Sequence, residues 1–181
     1  MKIPLKTKIA FWWWQKFRFK EPENKFQKIS TIGEGIKTLL IIFPRDDKYL
    51  PLAQHFIKSI VSRGQINAIK KIISWEKQKY AMDKKILSRF QLISENDINK
   101  FGLLTDAAIK RLTNEQFDCV INLDHIFNPV SFQLVGQFSS ITRIGFDTDY
   151  GNKIYNIFIN GNRGTNYMEQ GYEYILEVLG L

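Results

Sequence analysis

Past residue 37, hydrophobic and polar positions fall into alternating strand-length and helix-length blocks. "KTLLIIF" is an unbroken apolar run of strand length. "YLPLAQHFIKSIVSRG" follows, with apolar residues at Leu52, Phe56 and Ile60, flanked by Ala53, Ile57 and Val61, and closes on Gly64 as a helix C-terminus. That is a strand and its crossover helix. "INAIKKIIS" predicts a second strand, "WEKQKYAMDKKIL" a charged, loosely helical stretch and "SRFQLIS" an edge strand. "ENDINKFGLLTDAAIKRLTNEQ" predicts a turn around Gly102 and then a helix capped by Thr105 or Asp106. "FDCVINL" is the strongest strand after the first. It precedes a helix in "PVSFQLVGQFSS", strands in "ITRIGF" and "YNIFIN", and a final helix carrying Met168, Tyr172, Ile175, Leu176 and Leu179 on one face. Strands alternating with helices predict a three-layer, Rossmann-like α/β domain over 37–181, its mainly parallel sheet covered on both faces. No internal repeat or low-complexity linker interrupts it.

Residues 1–36 follow a different pattern. Phe11, Trp12, Trp13, Trp14, Phe17, Phe19 and Phe26 spread around the axis at 100° per residue, and "KFRFK" alternates like a strand, so no clean amphipathic helix is predicted. Charge makes the segment distinctive. Residues 1–30 hold eight Lys/Arg against Glu21 and Glu23, a net +6 out of the chain's +8, which leaves +2 for the other 151 residues. Cations interleaved with Trp and Phe suit an anionic membrane surface or an acidic protein, with Trp12, Trp13, Trp14, Lys16 and Arg18 as contact candidates. Packing of some of these rings onto the domain is the alternative. Nucleic acid is the weakest reading, because the body is nearly charge-balanced.

At 181 residues with 44% hydrophobic content, the chain can bury roughly two thirds of its unfolded surface in one core. The single cysteine, Cys119, lies inside "FDCVINL" and reads as a small buried hydrophobe, and no disulfide framework can form. No apolar run nears 18 residues, and Ile9 to Trp14 is too short for a signal peptide. A cytoplasmic protein, peripheral on the inner membrane, is the expectation. "STIGEGIKTLLIIF" is not a phosphate loop: one residue separates Gly33 from Gly35, Ile36 intervenes before Lys37, and the strand follows the glycines. The glycines read instead as a flexible lead into the first strand.

In parallel sheets ligands bind beyond the carboxyl ends of the strands. Arg45, Asp46 and Asp47 fall there after the first strand, Asn122, Asp124 and His125 after "FDCVINL", and Asp147 and Asp149 after "TRIGF". Carboxylates and amides exchange hydrogen bonds with sugar hydroxyls, and Arg holds phosphate or carboxylate. Asp46 and Asp47 are equally read as caps of the helix behind them. His55 reads as structural. Two separated histidines and one cysteine give no metal-ligand spacing, and neither metal nor cofactor is expected.

"LLIIFPRDDKYLPLAQHFIKSI", "FDCVINLDHIFNPVSFQLVGQFSSITRIGFD" and "GYEYILEVLGL" resemble, in order, three landmarks of the amino-terminal half of glycosyltransferase family 9, the ADP-heptose:lipopolysaccharide heptosyltransferases. The chain is also similar to short bacterial proteins consisting of this half. The resemblance covers roughly residues 37–181 and implies one half of a GT-B glycosyltransferase, the side that binds a sugar-bearing lipid acceptor. It implies a loop aspartate as the base that deprotonates the acceptor hydroxyl, here Asp46 or Asp47, in a loop shorter than the family's and without its glycine. Family members continue into a second domain that binds the nucleotide-sugar, whereas this sequence stops at Leu181. The chain alone is therefore expected to be inactive and to need a nucleotide-sugar-binding partner chain. A non-catalytic binding or scaffold protein attached through its basic aromatic segment is the other expectation.

Overall fold

The computed structural model describes residues 3–19, 36–81, 84–138, 142–148, 150–159 and 166–180. Gly33, Gly35, Phe26, Asp149 and the side chain of Met168 lie outside the described residues. Six strands form one sheet: β1 Leu39–Ile42, β2 Ile69–Trp75, β3 Phe90–Ile93, β4 Cys119–Asn122, β5 Thr142–Phe146 and β6 Ile157–Ile159. All five pairings are parallel, in the order β3-β2-β1-β4-β5-β6. This is the Rossmann-like α/β sheet, with β1 and β4 central and "SRFQLIS" at one edge as β3.

Side chains alternate across a strand, so β1 feeds both faces. Leu39 and Ile41 join Ile72, Ile121 and Ile144 under α2 (Leu50–Ser62) and α6 (Asn166–Val178), where Phe56, Ile60, Ile175 and Leu179 are buried. Leu40 and Ile42 join Ile73 and Val120 under α3 (Asp106–Leu112), α4 (Pro129–Val135) and α5 (Gly151–Ile154). Pro51 sits in the first turn of α2, where its fixed φ and missing N–H cost nothing, and Gly64 at φ +77° lets the chain leave the helix. Thr105, not Asp106, caps α3 by accepting from the Ala108 N–H. The charged stretch after β2 forms two 3-10 segments, Glu76–Ala81 and Lys84–Arg89. Cys119 is fully buried, and burial pushes its thiol pKa up.

All seven residues of α4 are buried, so this helix needs cover on its outer side as well as against the sheet. The N-terminal helix α1, Leu5–Arg18, provides it. Thr7, Phe11 and Trp14, at i, i+4 and i+7, point inward, and Phe11 and Trp14 belong to the same core cluster as β1 and β4. Trp14 and Phe19 lie so close over Gly136 that a Cβ there would sit 2.6 Å and 2.7 Å from their rings. Leu5–Arg18 of the aromatic segment is thus a regular helix whose rings divide between two faces, where the sequence pattern predicted no clean helix.

Candidate functional site

Between β1 and β4 the chain diverges: β1 leads to α2 on one face of the sheet and β4 leads to α4 on the other. The crevice opened at their carboxyl ends is where doubly wound sheets bind ligands. The loops that line it are 43–49 and 123–128.

Asp124 ties these loops together. Its carboxylate accepts the Arg45 N–H at 2.8 Å and the Asn128 amide at 3.0 Å, and the Ser131 hydroxyl donates to the same oxygen as Asn128. Asn128 also caps α4 through Val130 N–H, and Ser131 lies in the first turn of that helix. The carboxyl is buried, and desolvation raises its pKa from the ordinary 3.8 to about 6 against the lowering effect of these donors. Asn122 is equally enclosed: its amide donates to the Tyr155 hydroxyl at 2.7 Å and its oxygen accepts the Asp124 N–H at 3.1 Å. Both residues hold the floor of the crevice.

The residues that face outward come mainly from the first loop. The Arg45 guanidinium lies 4.9 Å from the centre of the Trp75 ring, a cation–π contact at the end of β2. Asp46 caps the short turn Asp47–Tyr49 by accepting from Lys48 N–H at 3.0 Å. Asp47 accepts from the Gln78 amide at 2.9 Å and from Lys77 Nζ at 3.0 Å, and these donors hold its pKa below the ordinary carboxylate value. Gln78 is itself buried, donates to the Pro44 carbonyl at 2.9 Å, and accepts from Ser74 Oγ at 2.8 Å. Asp47 is therefore fixed from beneath by the segment after β2, with Gln78 braced by Ser74 of β2, whereas Asp46 is held within its own turn. Asp147, after β5, is exposed, and its backbone N–H closes on Ile159 of β6.

His125 fills an aromatic niche. Its ring stacks 3.9 Å from Phe146 and 4.5 Å from Tyr49, and Nε2 lies 3.0 Å from the Tyr172 hydroxyl. Desolvation lowers its pKa to about 4, so the imidazole is neutral at neutral pH. It wedges the β4 loop against the first loop, β5 and α6. His55 lies exposed on α2. Among the described residues no group of three or more His, Cys, Asp or Glu could hold a metal ion.

Of the N-terminal candidates, Trp12 (58%) and Trp13 (52%) are exposed, whereas Trp14 is 3% exposed inside the core. Lys16 reaches over the Trp12 and Phe17 rings at 5.4 and 5.6 Å, and Arg18 pairs with Asp106 of α3. Sequence reasoning passed over Gln78, Lys77, Asn128, Ser131 and Tyr49 and read Tyr172 only as part of the apolar face of the last helix; all six shape the crevice. Only Asn128 carried a local signal, an Asn directly before Pro at a helix start.

The fold is similar to solved glycosyltransferases. A glycosyl transferase of family 9 from Veillonella parvula DSM 2008 matches with a TM-score of 0.58 at 16% identity, over 80% of this chain and 41% of that one. E. coli heptosyltransferase WaaC matches with a TM-score of 0.51, both with ADP (14% identity, 79% of this chain, 47% of that one) and with ADP-2-deoxy-2-fluoro heptose (13%, 79% and 48%). This chain spans less than half the length of each, and at such identities the likeness shows the fold alone. Among the described residues no helix is long and apolar enough to cross a membrane. No curated protein matches the sequence. A family match over residues 12–175 takes in α1 from Trp12 onward together with the whole sheet, and the chain accordingly belongs to the family described as "Family of unknown function (DUF6913)".

Proposed function

We propose that this chain is a glycosyltransferase-like acceptor-side domain that binds a sugar-bearing, lipopolysaccharide-type molecule at the carboxyl-end crevice and does not itself carry out transfer. The observation that carries this reading is the rigid polar loop Arg45-Asp46-Asp47 at the switch point, held by Asp124 from one side and Gln78 from the other. Arg45 offers paired donors to a phosphate or carboxylate, and Asp46 and Asp147 offer acceptors to hydroxyls. The non-catalytic part rests on how the carboxylates are used. A general base needs a proton affinity near the working pH. Asp47 is held ionised by two donors, and Asp46 caps a turn. Asp124, whose pKa is raised to about 6, is buried beneath the loop with both oxygens taken by three donors and out of reach of a substrate hydroxyl. A nucleotide-sugar-binding partner chain supplies the donor, whose placement provides much of the rate in such displacements.

The test is calorimetric titration of the chain with a lipopolysaccharide inner-core oligosaccharide, alongside a turnover assay with ADP-heptose. Binding of the oligosaccharide is expected, weakened on the order of 10-fold by Arg45→Ala through loss of a charge-assisted contact, with no turnover. Failure of every sugar-bearing acceptor to bind would refute the binding role. Turnover by the chain alone that disappears in Asp46→Asn or Asp47→Asn would refute the non-catalytic one.

A further inference from the structure

Once Phe11 and Trp14 are docked in the core, the opposite face of α1 still carries Ile9, Trp12, Trp13 and Phe17, each more than half exposed. Single exposed apolar residues are ordinary; three large rings on one face of one helix are not. The same face carries Lys6, Lys8 and Lys16, and α1 contains no acidic residue. The pattern continues onto a second element. Phe101, exposed in the turn before α3 with Lys100 5.2 Å from its ring centre, faces Trp13 and Ile9 across a cleft of about 780 Å³ with Leu103 and Leu104 in its walls. Chain segments some 90 residues apart thus present rings and lysines side by side.

We propose that this face, the outer side of α1 together with the turn at Phe101, docks on an anionic lipid bilayer. The charge decides between occupants. Three lysines without a single acid on the helix repel a second copy of the same face, so self-association there is disfavoured. An anionic headgroup layer instead attracts each surface-proximal cation, while Trp and Phe sit at the boundary below it. The helix that carries this surface also braces the site loops: Phe11, on the inner side of α1, packs edge-on against Phe127 at 5.1 Å and Tyr150 at 5.7 Å, in the loops after β4 and β5. A bilayer on the outer side of α1 is therefore separated from the loop at Phe127 by the thickness of this one helix. The proposal does not depend on what the crevice binds.

Vesicle co-sedimentation of the full chain tests it, with phosphatidylcholine vesicles and mixed phosphatidylcholine–phosphatidylglycerol vesicles at low and high salt. Binding to the mixed vesicles only, weakening with salt as screening shortens the electrostatic reach, is the expected result. Reversal of Lys6, Lys8 and Lys16 to Glu should lower partitioning on the order of 100-fold or more. Trp12→Ala/Trp13→Ala/Phe17→Ala should abolish binding while leaving the melting temperature unchanged, because these rings contribute to no core cluster. Equal binding to both vesicle types, binding to neither, or unaltered binding by both variants would overturn the proposal. So would light scattering that shows a dimer of the wild-type chain lost in the triple-alanine variant, which would make the face a contact between copies.

Discussion

Asp124 and His125 are neighbours in sequence whose titrations push stability in opposite directions. The folded-state pKa of Asp124 is raised from 3.8 to about 6, so between these values the native chain holds a proton that the unfolded chain has released. Stability from this group falls as pH rises through that window, by about 3 kcal/mol at roughly 1.4 kcal/mol per tenfold in acidity. For His125 the folded pKa is depressed from 6.5 to about 4, so the unfolded chain binds the extra proton. Stability from the imidazole is present at neutral pH and is lost as pH falls, by on the order of 2–3 kcal/mol once its partial exposure to water is allowed for. The two slopes nearly cancel, and the wild-type chain should show a flat stability between about pH 4.5 and 6.5. Substitution separates them. Asp124→Asn, which mimics the protonated carboxyl in shape, leaves the histidine slope and should melt lower at the acid end by roughly 4–10 °C for a chain of this size. His125→Phe keeps the stack between Tyr49 and Phe146 and should lose a similar amount toward pH 6.5. Asp47, Asp97 and Asp118, all held below the ordinary carboxylate value, add an acid loss common to every variant at lower pH. Calorimetric melts across the window read the result. Wild type and both variants changing in parallel with pH would refute the opposing titrations.

Gly145→Ala should destabilise by about 1–3 kcal/mol or more in urea unfolding, because its methyl would overlap the Tyr155 ring that holds Asn122. Trp14→Ala should cost about 3–5 kcal/mol as a buried core truncation, whereas Trp12→Ala should stay within about 0.5 kcal/mol, the same assay separating the two faces of α1. Gly136→Ala should lift Trp14 and Phe19 off α4, seen as faster proteolysis within residues 3–19. Asp118 receives the Lys37 and Thr38 N–H groups at 2.9 and 2.8 Å and the Thr38 hydroxyl at 2.8 Å, so Asp118→Ala should loosen the start of β1, read as faster amide exchange at Thr38 and Leu39.

The alternating blocks of the chain determined the sheet class by themselves. "KTLLIIF" and "FDCVINL" are short, β-branched-rich apolar runs of strand length, "TRIGF" repeats that length with fewer apolar residues, and the helices between them leave parallel pairing as the economical solution. Register along the chain likewise placed Arg45, Asp46, Asp47, Asn122, Asp124, His125 and Asp147 at or just past strand ends, because the alternation of blocks fixes where each strand stops whatever the side chains beyond it do. What those side chains do was decided by partners far away in sequence. Asp124 is drawn inward by Arg45, 79 residues earlier, and Asp47 is held by Gln78, 31 residues later; nothing local distinguishes an aspartate that faces water from one that staples two loops. The aromatic helix shows the same division. Its periodicity spread the rings around the axis, and only the need to cover α4, buried on every side, selected Phe11 and Trp14 for the core and left Trp12, Trp13 and Phe17 outside. A helix with rings on both faces has no preferred orientation of its own, so the surface it docks against chooses one.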